Sequence, residues 1–276
     1  MKFRIKLSLA VAFTAYSLSL AATASAKTDG FTEALQDYYV ASQKLQAQIL
    51  QSAFALEKTL TQDPQVDAFK SLGETFPKAV KEYREKFEEL DALSKSSGVQ
   101  KKYSTVLQKI DEDDNEKSLP VLADFSEAIG EFSDSLERQH FTVYAQEEWA
   151  NSGIRVEQDD FIWVNSEGSW QASPSYSGAN SAGYVCRSDS AYAINRSAPL
   201  GALLYRVRGS ANVNGMGLDK DLRGKADAAG RLEFIMNDDD RRNNTGQLSL
   251  TVVVMNQEDL RGMLKVFNEL RELSKE

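Results

Sequence analysis

Glycine is spread unevenly along this chain: four lie between Lys27 and Ala150, eleven between Asn151 and Asn256, and one beyond. Glycine weakens helix interiors and serves turns and bulges. A single fold type therefore cannot suit both stretches, and the pattern predicts a helical part joined near Ala150 to a part built of short strands and loops.

The first 26 residues form a separate case. Lys2, Arg4 and Lys6 precede an apolar stretch from Leu7 to Leu20 that ends in Ala24-Ser25-Ala26, the layout of a cleavable signal peptide. The stretch is too short and too interrupted by Ser and Thr for a membrane span. The expected mature chain begins near Lys27, has no transmembrane span, and is periplasmic or secreted. Loss of the three basic residues takes the formal charge from -9 to -12. So acidic a chain is a poor partner for nucleic acid or an anionic lipid surface. Cys186 is the only cysteine, which excludes an internal disulfide and reads as a small buried hydrophobe.

Over residues 27–150 the apolar residues recur every three or four positions. Leu35, Tyr38, Ser42, Leu45, Ile49, Ala53, Leu56 and Leu60 define one helix, which Asp63-Pro64 ends. A second run carries Val66, Phe69, Leu72, Phe76, Val80, Tyr83, Phe87 and Leu90, with Pro77 either kinking it or opening a new helix. Ser96-Ser97-Gly98 punctuates the next break, and a shorter segment bears Tyr103, Val106 and Ile110. Ser118 and Pro120 read as the start of a long helix running through Leu122, Phe125, Ile129, Phe132, Leu136, Val143 and on to Trp149. Such stripes need partners, so a bundle is expected. Residues 257–276 read as a final helix docked on that bundle.

Residues 151–256 change to period two. Phe161–Val164, Ala202–Val207, Leu232–Met236 and Leu248–Val254 read as strands, enough for a small β-sandwich. The chain is therefore expected to be α+β: an N-terminal α-helical bundle, a small jelly-roll-like β-sandwich and a C-terminal helix.

Catalytic chemistry is thinly supplied. His140 is the only histidine and is expected on the surface of the last bundle helix, a place that favours no Ser-His-Asp triad, and one histidine with one cysteine cannot fill a zinc site without several carboxylates. Carboxylate-based hydrolysis of glycans stays open, although no spacing singles out a pair. Hard oxygen ligands are plentiful. The run Asp111-Glu112-Asp113-Asp114-Asn115-Glu116 starts like an EF-hand, but Glu116 and Leu122 stand where that loop needs glycine and glutamate. A solvated turn fits better. The cluster Asn237-Asp238-Asp239-Asp240-Arg241-Arg242-Asn243-Asn244-Thr245-Gly246 lies between two strands, where side-chain and main-chain oxygens can converge on one cation. A polar turn capped by its own Asp and Asn side chains has the same spacing.

At these residues the chain resembles a family. The stretch from about Ile154 to Val254 is similar to the bacterial LecA (PA-I-like) calcium-dependent galactophilic lectins. The likeness rests on Asp160–Trp170, on Gly201–Val207 with its Gly-Ala-Leu start, and on the hairpin from Phe234 to Gly246. The resemblance implies a carbohydrate-binding sandwich holding Ca2+. Asp238 would be a metal ligand and a sugar acceptor. Asn243 and Asn244 would supply side-chain oxygens, Asn243 also touching sugar, and Ser173 and either Arg241 or Arg242 would give main-chain carbonyls. Trp170 and Tyr176 are placed to stack on a sugar face, with a place in the sandwich core the alternative for Trp170. The chain departs from the family in a shorter hairpin loop and in having no histidine between Gln171 and Gly183.

The expected function is that of an exported, non-catalytic lectin-like protein whose partner is a glycan or glycoconjugate. The alternative is an envelope scaffold or protein-interaction module whose bundle meets a protein partner and whose sandwich binds no sugar.

Overall fold

Helix α1, Gly30–Thr61, buries Phe31, Tyr38, Leu45, Ser52 and Thr59 at steps of seven, with Ala34, Ala41, Ile49 and Leu56 between them. A repeat of seven in a helix keeps one seam facing one neighbour. That neighbour is α2, Val66–Ser94, which runs unbroken through Pro77; Tyr38 and Tyr83 meet across the pair, their hydroxyls 3.1 Å apart. The expected stripe of α1 drifts off this seam toward its end, so that Leu60 is exposed and Thr59 buried. The computed structural model describes residues 30–112, 115–184, 191–215 and 221–273. The expected signal peptide, Cys186 and part of the Asp111–Glu116 run lie outside them.

Helix α3, Ser97–Glu112, is kinked at Tyr103 (φ -120°, ψ 22°), whose ring lies 4.6 Å from that of Phe31. Helix α4, Asn115–Ser135, places Phe125 and Phe132 edge-on against Phe76 and Phe69 of α2. The C-terminal helix α5, Gln257–Leu273, buries Leu260, Met263 and Phe267, and Phe267 packs 5.7 Å from Phe125. Among the described residues, those up to Asp134 and from Asp259 onward form one compact unit, and those between Ser135 and Glu258 form the other. Among the described residues no helix is long and apolar enough to cross a membrane.

Helix α4 stops at Ser135 and does not reach Trp149. The reason lies in the alternation beyond it: Gln139, Phe141 and Val143 interleave with Arg138, His140 and Thr142, a period of two that a helix cannot bury. This stretch is strand β1, Glu137–Tyr144, paired with β8 so that Phe141 faces Leu250 and Val143 faces Leu248. His140 is accordingly a strand residue, its ring beside Thr251.

Among its described residues the second unit has eight strands. They are β1, β2 (Ala150–Val156), β3 (Phe161–Gln171), β4 (Leu203–Val207), β5 (Asn214–Gly215), β6 (Asp221–Lys225), β7 (Gly230–Met236) and β8 (Thr245–Met255). They form two four-stranded antiparallel sheets, β1-β8-β3-β6 and β2-β7-β4-β5. Strands close in sequence alternate between the sheets in the order of a jelly roll. The chain is thus α+β. Between the sheets Ile162, Val164, Leu203, Phe234, Leu250 and Val252 exclude water, and burial of this kind, worth about 25 cal/mol per Å² of apolar surface, makes the sandwich a rigid base for its loops.

Candidate functional site

Strands β3 and β8 run antiparallel over their whole length, with Gln171 opposite Thr245. This register carries the loop after Gln171 and the loop before Thr245 to the same end of the sandwich. Strand β7 leaves its sheet at Met236, and its continuation is held by Asn237 N donating to Ala202 O at 2.8 Å and Gly201 N donating to Asn237 O at 3.0 Å. Three loops therefore meet at one rim: 171–184, 191–202 and 237–244.

Asn237 is the anchor of that rim. Its side chain is fully buried; Oδ1 accepts from Asn195 N, and Nδ2 faces the carbonyls of Asn195, Ala198 and Pro199 at 2.8–3.1 Å. The next residue, Asp238, is held between this anchor and a tight turn in which Asp240 N donates to Asp238 Oδ1 at 3.1 Å. Tyr184 clamps the facing loop: its hydroxyl donates to Ser177 O at 2.7 Å and accepts from Ala172 N at 3.3 Å. Burial raises the Tyr184 phenol above its usual range, the Ala172 bond opposes this, and the nearby Tyr176 and Asp238 add to it.

Asp238 is only 3% exposed. Burial pushes its carboxyl up to about 6; the charges of Asp239 and Asp240 add to this, while Asp240 N–H and the Asn244 side chain pull the other way. The loop's arginines are turned to other acids. Arg241 pairs with Glu148 at 2.9 Å and Arg242 with Asp240 at 3.4 Å. Asn244 is 0% exposed; its Nδ2 points to Ala145 O at 3.3 Å, and its Oδ1 is buried with no hydrogen-bond partner. A buried acceptor without a donor costs about 1–3 kcal/mol. The same side chain lies close enough to the buried Asp238 carboxylate to favour its ionised form, and Asp239 and Asp240 surround that carboxylate with further negative charge.

Oxygens of this type are donors that a hard cation such as calcium can use. Among the described residues no three His, Cys, Asp or Glu side chains gather as a metal cluster. The donors here are of another kind, one carboxylate with amide and main-chain oxygens. Asp238 and Asn244 are brought together. Asn243 is exposed and spends Nδ2 on Asp240 Oδ2 at 3.1 Å, so only its Oδ1 can serve a cation. Ser173 O accepts from Tyr176 N at 2.9 Å, and Arg241 O accepts from Asn244 N at 3.2 Å; each carbonyl keeps a second lone pair. The side chain of Arg242 is turned outward.

The rings fare differently. Trp170 is 1% exposed, part of the core between the sheets, and donates Nε1–H to Gly201 O at 2.7 Å. Of its two expected roles, sugar platform and core residue, the second is the one it takes, because neither of its faces is open. Tyr176 is half-buried against Tyr184, ring centres 5.2 Å apart, on the loop that faces Asp238.

Two contributors were hidden by the expectation of a helix up to Trp149. Gln146 donates to Asn244 O at 2.9 Å and Glu148 holds Arg241, so residues 145–148 cradle the hairpin loop. Asn237 and Tyr184 were also missed. An Asn-Asp pair leaving a strand and a Tyr closing a Ser/Gly-rich loop are the only sequence signals either one gives.

No protein-family model and no curated protein matches the chain. Among solved structures that match, an EclA N-terminal domain described as a PllA-like lectin is similar over 44% of this chain and 98% of its own, at 18% identity and a TM-score of 0.35.

Proposed function

We propose that this protein is an exported, non-catalytic carbohydrate-binding protein that engages its glycan through a calcium ion at the rim formed by loops 171–184 and 237–244. The observation that carries this reading is the buried Asp238 carboxylate close to the Asn244 side chain, whose Oδ1 is a buried acceptor without a donor. Asp238, Asn243 and Asn244 would hold the ion through side-chain oxygens, with main-chain carbonyls at Ser173 and Arg241 or Arg242 completing the set. When bound, calcium supplies open coordination positions that two neighbouring sugar hydroxyls can fill. The second carboxylate oxygen of Asp238 would accept from a sugar hydroxyl, and Tyr176 borders the same rim. The basic, apolar and Ala-Ser-Ala segments of residues 1–26 support export to the periplasm or medium, and the acidic composition disfavours nucleic acid.

Calorimetric titration with calcium, followed by a glycan array with and without chelator, tests this. Calcium-dependent glycan binding is expected, and Asp238→Ala is expected to abolish calcium binding. Unchanged calcium affinity in that variant refutes the assignment.

A second reading, a scaffold that meets an envelope protein through its helices, is favoured by Val40, Leu50 and Phe54. They are exposed on α1, Phe54 by 59%, and apolar side chains left on a helix surface fit a protein partner. Calcium binding without any glycan response, joined to capture of an envelope protein lost on Phe54→Glu, is the outcome that reading requires.

A further inference from the structure

Beside Asp238 lies an open cleft of about 860 Å³ whose walls include Gln146, Glu148, Tyr192, Asp240, Arg241 and Arg242. It is built into the rim. Gln146 is bonded to the main chain of Asn244, and Tyr192 O accepts from Asp239 N at 2.8 Å, so both walls are tied to the neighbours of Asp238. Tyr192 is 61% exposed, more than any other large apolar or aromatic residue among the described residues of the sandwich unit.

We propose that this cleft is an extended subsite that takes the second and third units of a neutral oligosaccharide whose first unit sits at Asp238. The inference rests on the reading given above. A volume near the top of the usual range of about 300–1,000 Å³ for small-molecule sites exceeds what one sugar ring fills. A tyrosine ring gives the C–H face of a pyranose a flat apolar surface, while its hydroxyl stays wet. The Arg241–Glu148 pair at 2.9 Å offers fixed donors and acceptors to hydroxyls. Glu148, Asp239 and Asp240 outnumber Arg241 and Arg242, so a uronic or sialic carboxylate entering the cleft meets net repulsion, whereas a neutral glycan does not.

The test uses the full mature chain with saturating calcium chloride. Calorimetry compares methyl β-galactoside, methyl α-mannoside and methyl α-fucoside with trisaccharides that carry each of these sugars at the non-reducing end. The trisaccharide matching the preferred monosaccharide is expected to bind about tenfold more tightly than its methyl glycoside, the order of gain one stacked ring provides. Tyr192→Ala brings that ratio toward one, and Tyr192→Phe, which keeps the ring, preserves it. Equal affinities for the two probes in the unaltered chain overturn the subsite, as does a Tyr192→Ala loss shared equally by both or a sialylated trisaccharide that binds better than its neutral parent. These outcomes leave the Asp238 site standing. Absence of any sugar binding with calcium present overturns both.

Discussion

Trp170 donates its indole N–H to Gly201 O at 2.7 Å, a bond that runs from the end of β3 to the turn before β4 and so ties one sheet to the other directly beneath the loop rim. Gly201 holds φ at +72° and a Cβ there would come within 2.9 Å of the Tyr184 ring, so the carbonyl's position is fixed by a residue that cannot easily change. Replacing Trp170 with Phe keeps most of the buried ring but leaves that carbonyl without its donor. A loss of about 1–3 kcal/mol is expected, and about 3–5 kcal/mol for Trp170→Ala. Hydrogen-exchange protection of the β3 and β8 amides reads the sandwich separately from the helices. Unchanged protection in Trp170→Phe contradicts the structural role.

The Asn237 side chain serves three carbonyls with one NH2 group, so its isostere is a severe test. Asn237→Asp keeps the shape, removes both donors and aims a carboxylate at the oxygens of Asn195, Ala198 and Pro199. The expected cost is about 3 kcal/mol or more, since three buried acceptors lose their donor and a charge loses solvent. Exchange at amides 195–202 should accelerate well before that at β3. Loop amides that stay as protected as in the parent chain exclude this anchor.

Much of the architecture was legible from period and punctuation. The helices α1 and α2 and the strands β3, β4, β7 and β8 stand where helical or two-residue spacing of apolar residues places them. The stretch after Ser135 was not legible, because Leu136, Val143 and Trp149 also continue the helical stripe of Phe125 and Phe132. Only pairing with β8, a contact across more than a hundred residues of chain, decides for strand. At the candidate site, the closeness of Asp238 and Asn244 could be read from an Asx-rich hairpin, since the two are near in sequence. Trp170 could not, because a tryptophan at a strand end looks the same whether it faces a ligand or the opposite sheet. Gln146 and Glu148 act through long-range bonds that no spacing encodes.

Gly73 sits in the interior of α2, where alanine ordinarily stabilises a helix by about 1 kcal/mol. Here a Cβ would lie 2.9 Å from Ser133 Oγ and 3.0 Å from Ser133 Cβ on α4. Contact that close forces the helices apart, so Gly73→Ala is expected to destabilise the bundle by about 1–3 kcal/mol. Ser133→Gly in the same chain removes both clashing atoms and should recover most of the loss. Helical ellipticity followed through a urea titration compares the single and double variants. A Gly73→Ala chain more stable than its parent shows that α2 and α4 do not approach so closely.

Stability without divalent cation should depend on pH through Asp238. Its folded carboxyl is pushed from 3.8 up to about 6, chiefly by burial, so the folded chain holds a proton that the unfolded chain has released. Between those two values stability at this group falls as pH rises, and the penalty is complete above about pH 6. Asp238→Asn has no proton to lose, so the parent minus variant difference isolates this group from every other that titrates. Calcium reverses the trend. It requires the ionised carboxylate, so its stabilisation grows with pH and its affinity falls about tenfold per pH unit below the folded pKa. Urea midpoints at about pH 4.5, 6 and 7.5 with chelator should therefore show Asp238→Asn gaining on the parent as pH rises, and the same series with calcium should show the parent gaining on the variant. A difference that does not change with pH in chelator means that Asp238 ionises as an exposed carboxylate, and the buried-site account of the rim then fails.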